Sequence, residues 1–174
     1  MVVFNVPRAG RQNEDYTKNL IENMYDDENC IYKRGFGVCG NSPKMIVHSF
    51  ESVRRTYCKV NAIKTHYFEL YVEYEIGLTA VEIVAEMIGK GLYNAGFQSF
   101  VTISDTGDFF LVAVALNSTS FNRKGLFHDN NTCYTEVYNY ICTLFPERIQ
   151  VGVTENAFFD PSKREGNYCH GRFA

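Results

Sequence analysis

Apolar and polar residues alternate most clearly over residues 66–75. His66, Phe68, Leu70, Val72 and Tyr74 fall on one side, and Tyr67, Glu69, Tyr71, Glu73 and Glu75 on the other. A period of two predicts a half-buried β-strand with a tyrosine–glutamate outer face. Two more strand-like runs, residues 97–104 and 109–117, flank Asp105-Thr106-Gly107-Asp108, whose composition is that of a turn, so the pair predicts a hairpin. Helical spacing governs four other stretches. Leu20, Ile21 and Met24 mark a helix that starts in Asn13-Glu14-Asp15 and runs to Tyr25. Ile46, Val47, Phe50 and Val53 mark one over residues 44–59, with Ser42 as cap and Pro43 at its first position. Val81, Val84, Ala85, Ile88 and Leu92 follow a Thr79/Glu82 capping box and end before Gly96. Val137, Ile141 and Leu144 define the last helix, capped by Thr132 and stopped by Pro146. The first ten residues read as extended, Gly35-Phe36-Gly37 and Gly40-Asn41 as loop, and residues 146–174 as an irregular tail whose main apolar feature is Phe158-Phe159.

This order predicts an α+β fold, an antiparallel sheet with helices packed on one face. It divides into a domain over residues 1–145 and a tail over 146–174 packed on the same domain. A chain of 174 residues with 45% hydrophobic and 21% charged residues has enough apolar material for a real core, which excludes a disordered segment. A formal net charge of −3 argues against a dedicated nucleic-acid binder, and the densest basic group, Arg54-Arg55 with Lys59 and Lys64, reads first as a solvated helix face. The opening residues are too short an apolar run for a signal peptide, and no run approaches the roughly 20 residues that span a bilayer. The six cysteines form no CxxC pair, so they are expected as reduced thiols in a cytoplasmic protein with no membrane contact.

Catalytic signatures are missing: there is no GxSxG, Walker glycine loop or HExxH. Asp105 and Asp108 are carboxylates in a turn, and His48, His66 and His128 show no ligand spacing. His66, opening a strand, is expected as a satisfied core or edge histidine.

The hairpin over residues 97–117, with Asn117-Ser118-Thr119-Ser120-Phe121 at its exit, resembles the central hairpin of the relaxases, the mobilisation nucleases that nick plasmid DNA. His66-Tyr67-Phe68-Glu69-Leu70 resembles the family's first strand motif. The ordered set extends the resemblance over about residues 15–145. It implies a relaxase-like sandwich, a nucleophilic tyrosine on the first helix and a metal held by histidines on the second hairpin strand. The departures fall at the chemistry. The positions corresponding to the metal-binding histidines hold Phe109, Leu111 and Ala113, and the simplest register puts Asn23 at the nucleophile position, with Tyr25 and Tyr16 nearby.

The expectation is therefore a degenerate, non-catalytic relaxase-like protein of a mobile genetic element, without metal or cofactor. It acts by binding a protein or nucleoprotein partner, as an anti-CRISPR-type inhibitor of a defence nuclease would. Tyr67, Glu69, Tyr71, Glu73 and Glu75 form the candidate interaction face, since tyrosine is enriched at binding hot spots. The apolar face at Phe109, Leu111 and Ala113 needs a cover, either the tail around Phe158-Phe159 or a partner. The alternative is a non-cleaving single-stranded DNA- or RNA-binding accessory of mobilisation, with Arg54, Arg55, Lys59, Arg123 and Lys124 touching phosphates. The sequence leaves the oligomeric state open.

Overall fold

The computed structural model describes residues 1–7, 12–57, 63–122, 125–128, 130–154 and 160–162. Among them, six strands form one open sheet: β1 (Val2–Asn5), β2 (Cys30–Phe36), β3 (Thr65–Glu73), β4 (Phe97–Asp105), β5 (Phe109–Ser120) and β6 (Val151–Val153). The order across the sheet is β2-β4-β5-β3-β1-β6, antiparallel except for the parallel β1–β6 pair at one edge. The helices are α1 (Tyr16–Tyr25), α2 (Pro43–Thr56), α3 (Leu78–Asn94) and α4 (Asn131–Leu144), with a 3-10 turn at Tyr74–Ile76. The α+β class and the largely antiparallel sheet match the pattern of the sequence. Three strands go beyond the sequence pattern, which marks β1 only as extended, β2 as loop and β6 as part of an irregular tail.

The helices lie on both faces of the sheet, which corrects the one-face arrangement. On the first face, Phe68, Leu70 and Val72 of β3 and Phe110, Val112, Val114 and Leu116 of β5 meet Val81, Val84, Ala85, Ile88 and Leu92 of α3 and Val137 and Ile141 of α4. On the second, Phe100 of β4 and Ala113 and Ala115 of β5 lie beneath Ile21 and Met24 of α1 and Ile46 and Phe50 of α2. β5 is thus covered on both sides over part of its length, and its near-continuous apolar run is the composition that two-sided burial requires. No described helix is long and apolar enough to cross a membrane.

Local chemistry fixes several ends. Ser42 accepts from the Met45 amide, with Pro43 opening α2. Asn130, not Thr132, caps α4 by accepting from the Cys133 amide at 2.9 Å. At α3 the cap is Gly77, which makes no side-chain cap bond, so the Thr79/Glu82 box does not form the start. Gly96, at φ 94°, stops α3, and a Cβ there would clash with the Asn122 side chain. Thr106 and Phe109 close the β4–β5 turn, and Asp105 accepts from the Gly107 amide.

His66 is 3% exposed at the start of β3, on the α4 side of the sheet. Its Nε2–H donates to the Phe127 carbonyl at 3.0 Å, which in the neutral ring leaves Nδ1, 3.1 Å from the Tyr134 hydroxyl, as the acceptor. Burial is the main reason that its pKa falls to about 4. In the unfolded chain it titrates near 6.5, so the unfolded state takes up the proton first as the pH drops. The contribution to stability is complete above that value and is lost on acidification toward pH 4. Between pH 7 and pH 4.5 the wild type should lose about 2–3 kcal/mol more unfolding free energy than His66→Gln, measured by urea denaturation. Parallel pH profiles for the two proteins would contradict this assignment.

Candidate functional site

The register of β3 on β5 pairs Glu69 with Ala113, Tyr71 with Leu111 and Glu73 with Phe109. The tyrosine–glutamate face and the three positions expected at a lost metal site are therefore one surface, on the second face of the sheet. β1 continues it, with Asn5 opposite Glu69 and Val3 opposite Tyr71. Successive rows across the strands leave the cover of α1 and α2 step by step. Tyr67, Ala115 and Phe100 lie in the cluster beneath the helices, and so does Ala113. Val3, Tyr71, Leu111, Glu73 and Phe109 lie farther along and remain half-buried. The cluster under α1 and α2 ends before Leu111 and Phe109. The result is a shelf that is roofed at one end and open at the other.

A carboxylate organises this shelf. Glu69 accepts from the Tyr67 hydroxyl at 2.7 Å, from the Tyr71 hydroxyl at 2.7 Å and from Asn5 Nδ2 at 2.9 Å. The Thr154 hydroxyl, just past β6, donates to Asn5 Oδ1 at 2.9 Å and holds the amide in that orientation. Tyr71 also packs edge-on against Phe109 with ring centroids 5.1 Å apart. Charge-assisted hydrogen bonds of this kind are short and directional, so both phenol rings are fixed before anything touches them.

The same contacts disfavour phenolate. Burial, then the Glu69 charge, raises the Tyr67 pKa well above the ordinary phenol value. Burial, then the bond to Glu69, pushes Tyr71 up to about 12. A nucleophilic tyrosine needs the opposite shift, or a cation to stabilise its anion. Among the described residues, no group of three or more His, Cys, Asp or Glu side chains is arranged to hold a metal ion.

The remaining candidates are dispersed. Glu73 binds the Met1 amino group at the edge of the shelf, and Glu75 lies beyond it in the 3-10 turn. Tyr25 stacks on Phe100 under α1, with the Lys33 ammonium 4.0 Å from its ring centroid. Tyr16 opens α1, and Asn23 is exposed on it. His48 is exposed on α2 and His128 is exposed beyond Phe127. Asp105 is a turn residue whose side chain accepts from Tyr74 as well as from Gly107. Asn117 acts inside the fold: its Nδ2 donates to the Phe50 carbonyl and to Gln98 Oε1, tying α2 to the β4–β5 hairpin.

Arg54 is not a surface phosphate contact. It is 5% exposed, and its Nη1 donates to the Lys64 carbonyl at 3.0 Å and to Thr17 Oγ1 at 3.3 Å, bracing α2 against α1 and the start of β3. Arg55 is exposed and pairs with Glu51 one turn earlier at 3.5 Å. Lys59, Arg123 and Lys124 lie outside the described residues, as does Phe158-Phe159. Asn5 and Thr154, which position Glu69, were missed in the sequence. The alternation of Val2, Phe4 and Val6 against Val3 and Asn5 is the signal that would have placed Asn5 on an outer strand face.

No protein-family model, curated protein or solved structure matches this chain.

Glu69→Ala should cost about 1–3 kcal/mol, because it leaves the half-buried Tyr67 hydroxyl without its acceptor and frees Asn5 and Tyr71. Urea denaturation at neutral pH measures this. A change below about 0.5 kcal/mol, the range of an ordinary surface substitution, would show that the network does not organise the shelf.

Proposed function

We propose that this protein works by binding a protein or nucleoprotein partner on the β1–β3–β5 shelf, and that it performs no chemistry there. The observation that carries this reading is Tyr71, preorganised by its bond to Glu69, which also holds Tyr67 under the helical roof, and flanked by half-buried Leu111 and Phe109. Rigid aromatic rings with polar tips, set beside apolar surface, lose little conformational entropy on association and are enriched at interaction hot spots. Positions that would bear metal-binding histidines in a relaxase carry apolar side chains here, which favours contact over catalysis. The raised tyrosine pKa values weigh in the same direction.

The resemblance to the relaxases supplies the biological setting of the proposal. A relaxase-like protein of a mobile genetic element that has given up nicking would act in the cytoplasm as an inhibitor of a host defence nuclease, in the manner of an anti-CRISPR protein. The negative charge of Glu69 and Glu73 would favour a target surface whose cationic groups otherwise hold nucleic acid, with the Tyr71 ring as the anchor.

The test is affinity capture from a lysate of host cells with and without nuclease treatment, using the wild type beside Tyr71→Ala and Leu111→Asp. The expected result is a nuclease-resistant protein partner, retained by the wild type and reduced about tenfold or more by either variant. Nucleic acid recovered alone and lost on nuclease treatment, or a partner retained equally by all three proteins, would overturn the assignment of the shelf.

A further inference from the structure

The fold leaves a charge on the shelf uncompensated. Glu69 is half-buried, and the groups that donate to it, Tyr67, Tyr71 and Asn5, are all neutral. A carboxylate offers about four lone-pair sites, so these donors leave it room for one more. A second carboxylate stands across the strands. Ser104 of β4 lies opposite Leu111 of β5, and its hydroxyl donates to half-buried Asp27, just past the end of α1. Among the described residues, neither Glu69 nor Asp27 takes part in an ion pair. Two cations at the borders of this face are already engaged, the Met1 amino group by Glu73 and the Lys33 ammonium by the Tyr25 carbonyl and ring.

The surroundings select the kind of cation. Val3, Leu111 and Phe109 are half-buried beside Glu69, so a cation bonded to that carboxylate gives up part of its hydration. A guanidinium is more weakly hydrated than an ammonium, and its plane stacks on an aromatic ring while its N–H groups bond a carboxylate. Tyr71 supplies the ring. Its hydroxyl is anchored on Glu69, and its edge-to-face contact with Phe109, at an interplanar angle of 69°, occupies at most one of its faces. Ring and carboxylate are therefore held side by side, the pairing that a single arginine side chain satisfies.

We infer that the Glu69–Tyr71 corner of the shelf receives an arginine side chain of the protein partner, its guanidinium bonded to the Glu69 carboxylate and stacked on the Tyr71 ring. This rests on the shelf being the contact surface, and it deepens that reading by naming the side chain that is held and the groups that hold it. Asp27 extends the same negative border toward β4.

Purified protein tests this without a lysate. The probes are acetylated and amidated tripeptides, leucine–X–leucine, with arginine, lysine or citrulline at the centre; citrulline is the uncharged near-isostere of arginine. Binding is followed by NMR titration of nitrogen-15-labelled protein, reading the amides of residues 69–73 and 109–113. These should shift saturably with the arginine peptide, with affinity about threefold or more weaker for the lysine peptide, and not at all with the citrulline peptide. Glu69→Gln keeps an acceptor for the tyrosine hydroxyls and removes the charge; Tyr71→Leu keeps apolar bulk and removes the ring. Each should weaken the arginine peptide about tenfold or more. Equal binding of the arginine peptide and either comparison peptide, no saturable shift at these amides, or unchanged affinity in Glu69→Gln or in Tyr71→Leu would overturn the inference. If the peptide result fails while Tyr71→Ala still abolishes capture from lysate, the shelf remains the contact surface and the arginine assignment alone falls. Arginine binding with no protein captured from lysate would sink the partner reading instead.

Discussion

The structure depends on the ladder between β3 and β5, which runs in unbroken register from Thr65↔Asn117 to Glu73↔Phe109. A shift of one residue would turn every side chain on β3 to the other face. It would bring Phe68, Leu70 and Val72 out of the core beneath α3 and put Tyr67, Glu69 and Tyr71 into it. The apolar face of β3 enforces the register, and the register in turn sets Glu69 between two tyrosines on its own strand and Asn5 on the next. The shelf proposed here as a contact surface is a by-product of how the core is locked. That accounts for its rigidity without any special device.

Two-sided covering of the sheet explains why the shelf has the shape it does. α1 and α2 cross β4 and part of β5, where Ala113 and Ala115 are small enough to let the helices approach. They stop short of β3's outer end. An apolar strand thus passes from fully covered to half-open within one element, and the open end collects Leu111, Phe109, Tyr71 and Val3 beside the carboxylate of Glu69. Buried Arg54 belongs to the roof of this arrangement, bonding across α2, α1 and the start of β3, so its role is to hold the layers rather than to reach outward.

Much of this was legible in the sequence, and what was not has physical reasons. The period-two pattern over residues 66–75 gave both faces of β3 correctly, and the 3.6-residue pattern gave the buried stripe of α3 residue by residue. The stripes could say that each helix is half-buried but not which side of the sheet it meets. The run from Phe109 to Leu116 held that information, because a strand covered on one side only would alternate. β2 escaped notice because an edge strand needs one partner and little alternation, and its glycine suggested a loop; three-residue β6 is too short to carry a pattern. Arg54 was misplaced by its charge alone, although Ile46, Phe50 and Arg54 share one helical face at steps of four. The Glu69 network was half visible: its tyrosines sit on the same strand, but Asn5 comes from a strand more than sixty residues earlier.

The central claim is that the half-open end of this sheet face meets a protein. A photo-crosslinking amino acid placed at position 71, compared with the same group at position 55 on the exposed side of α2, tests it in cells. The account predicts one discrete protein adduct from position 71 that survives nuclease digestion, and none from position 55. Adducts to nucleic acid from position 71, or equal yields from both positions, would contradict it.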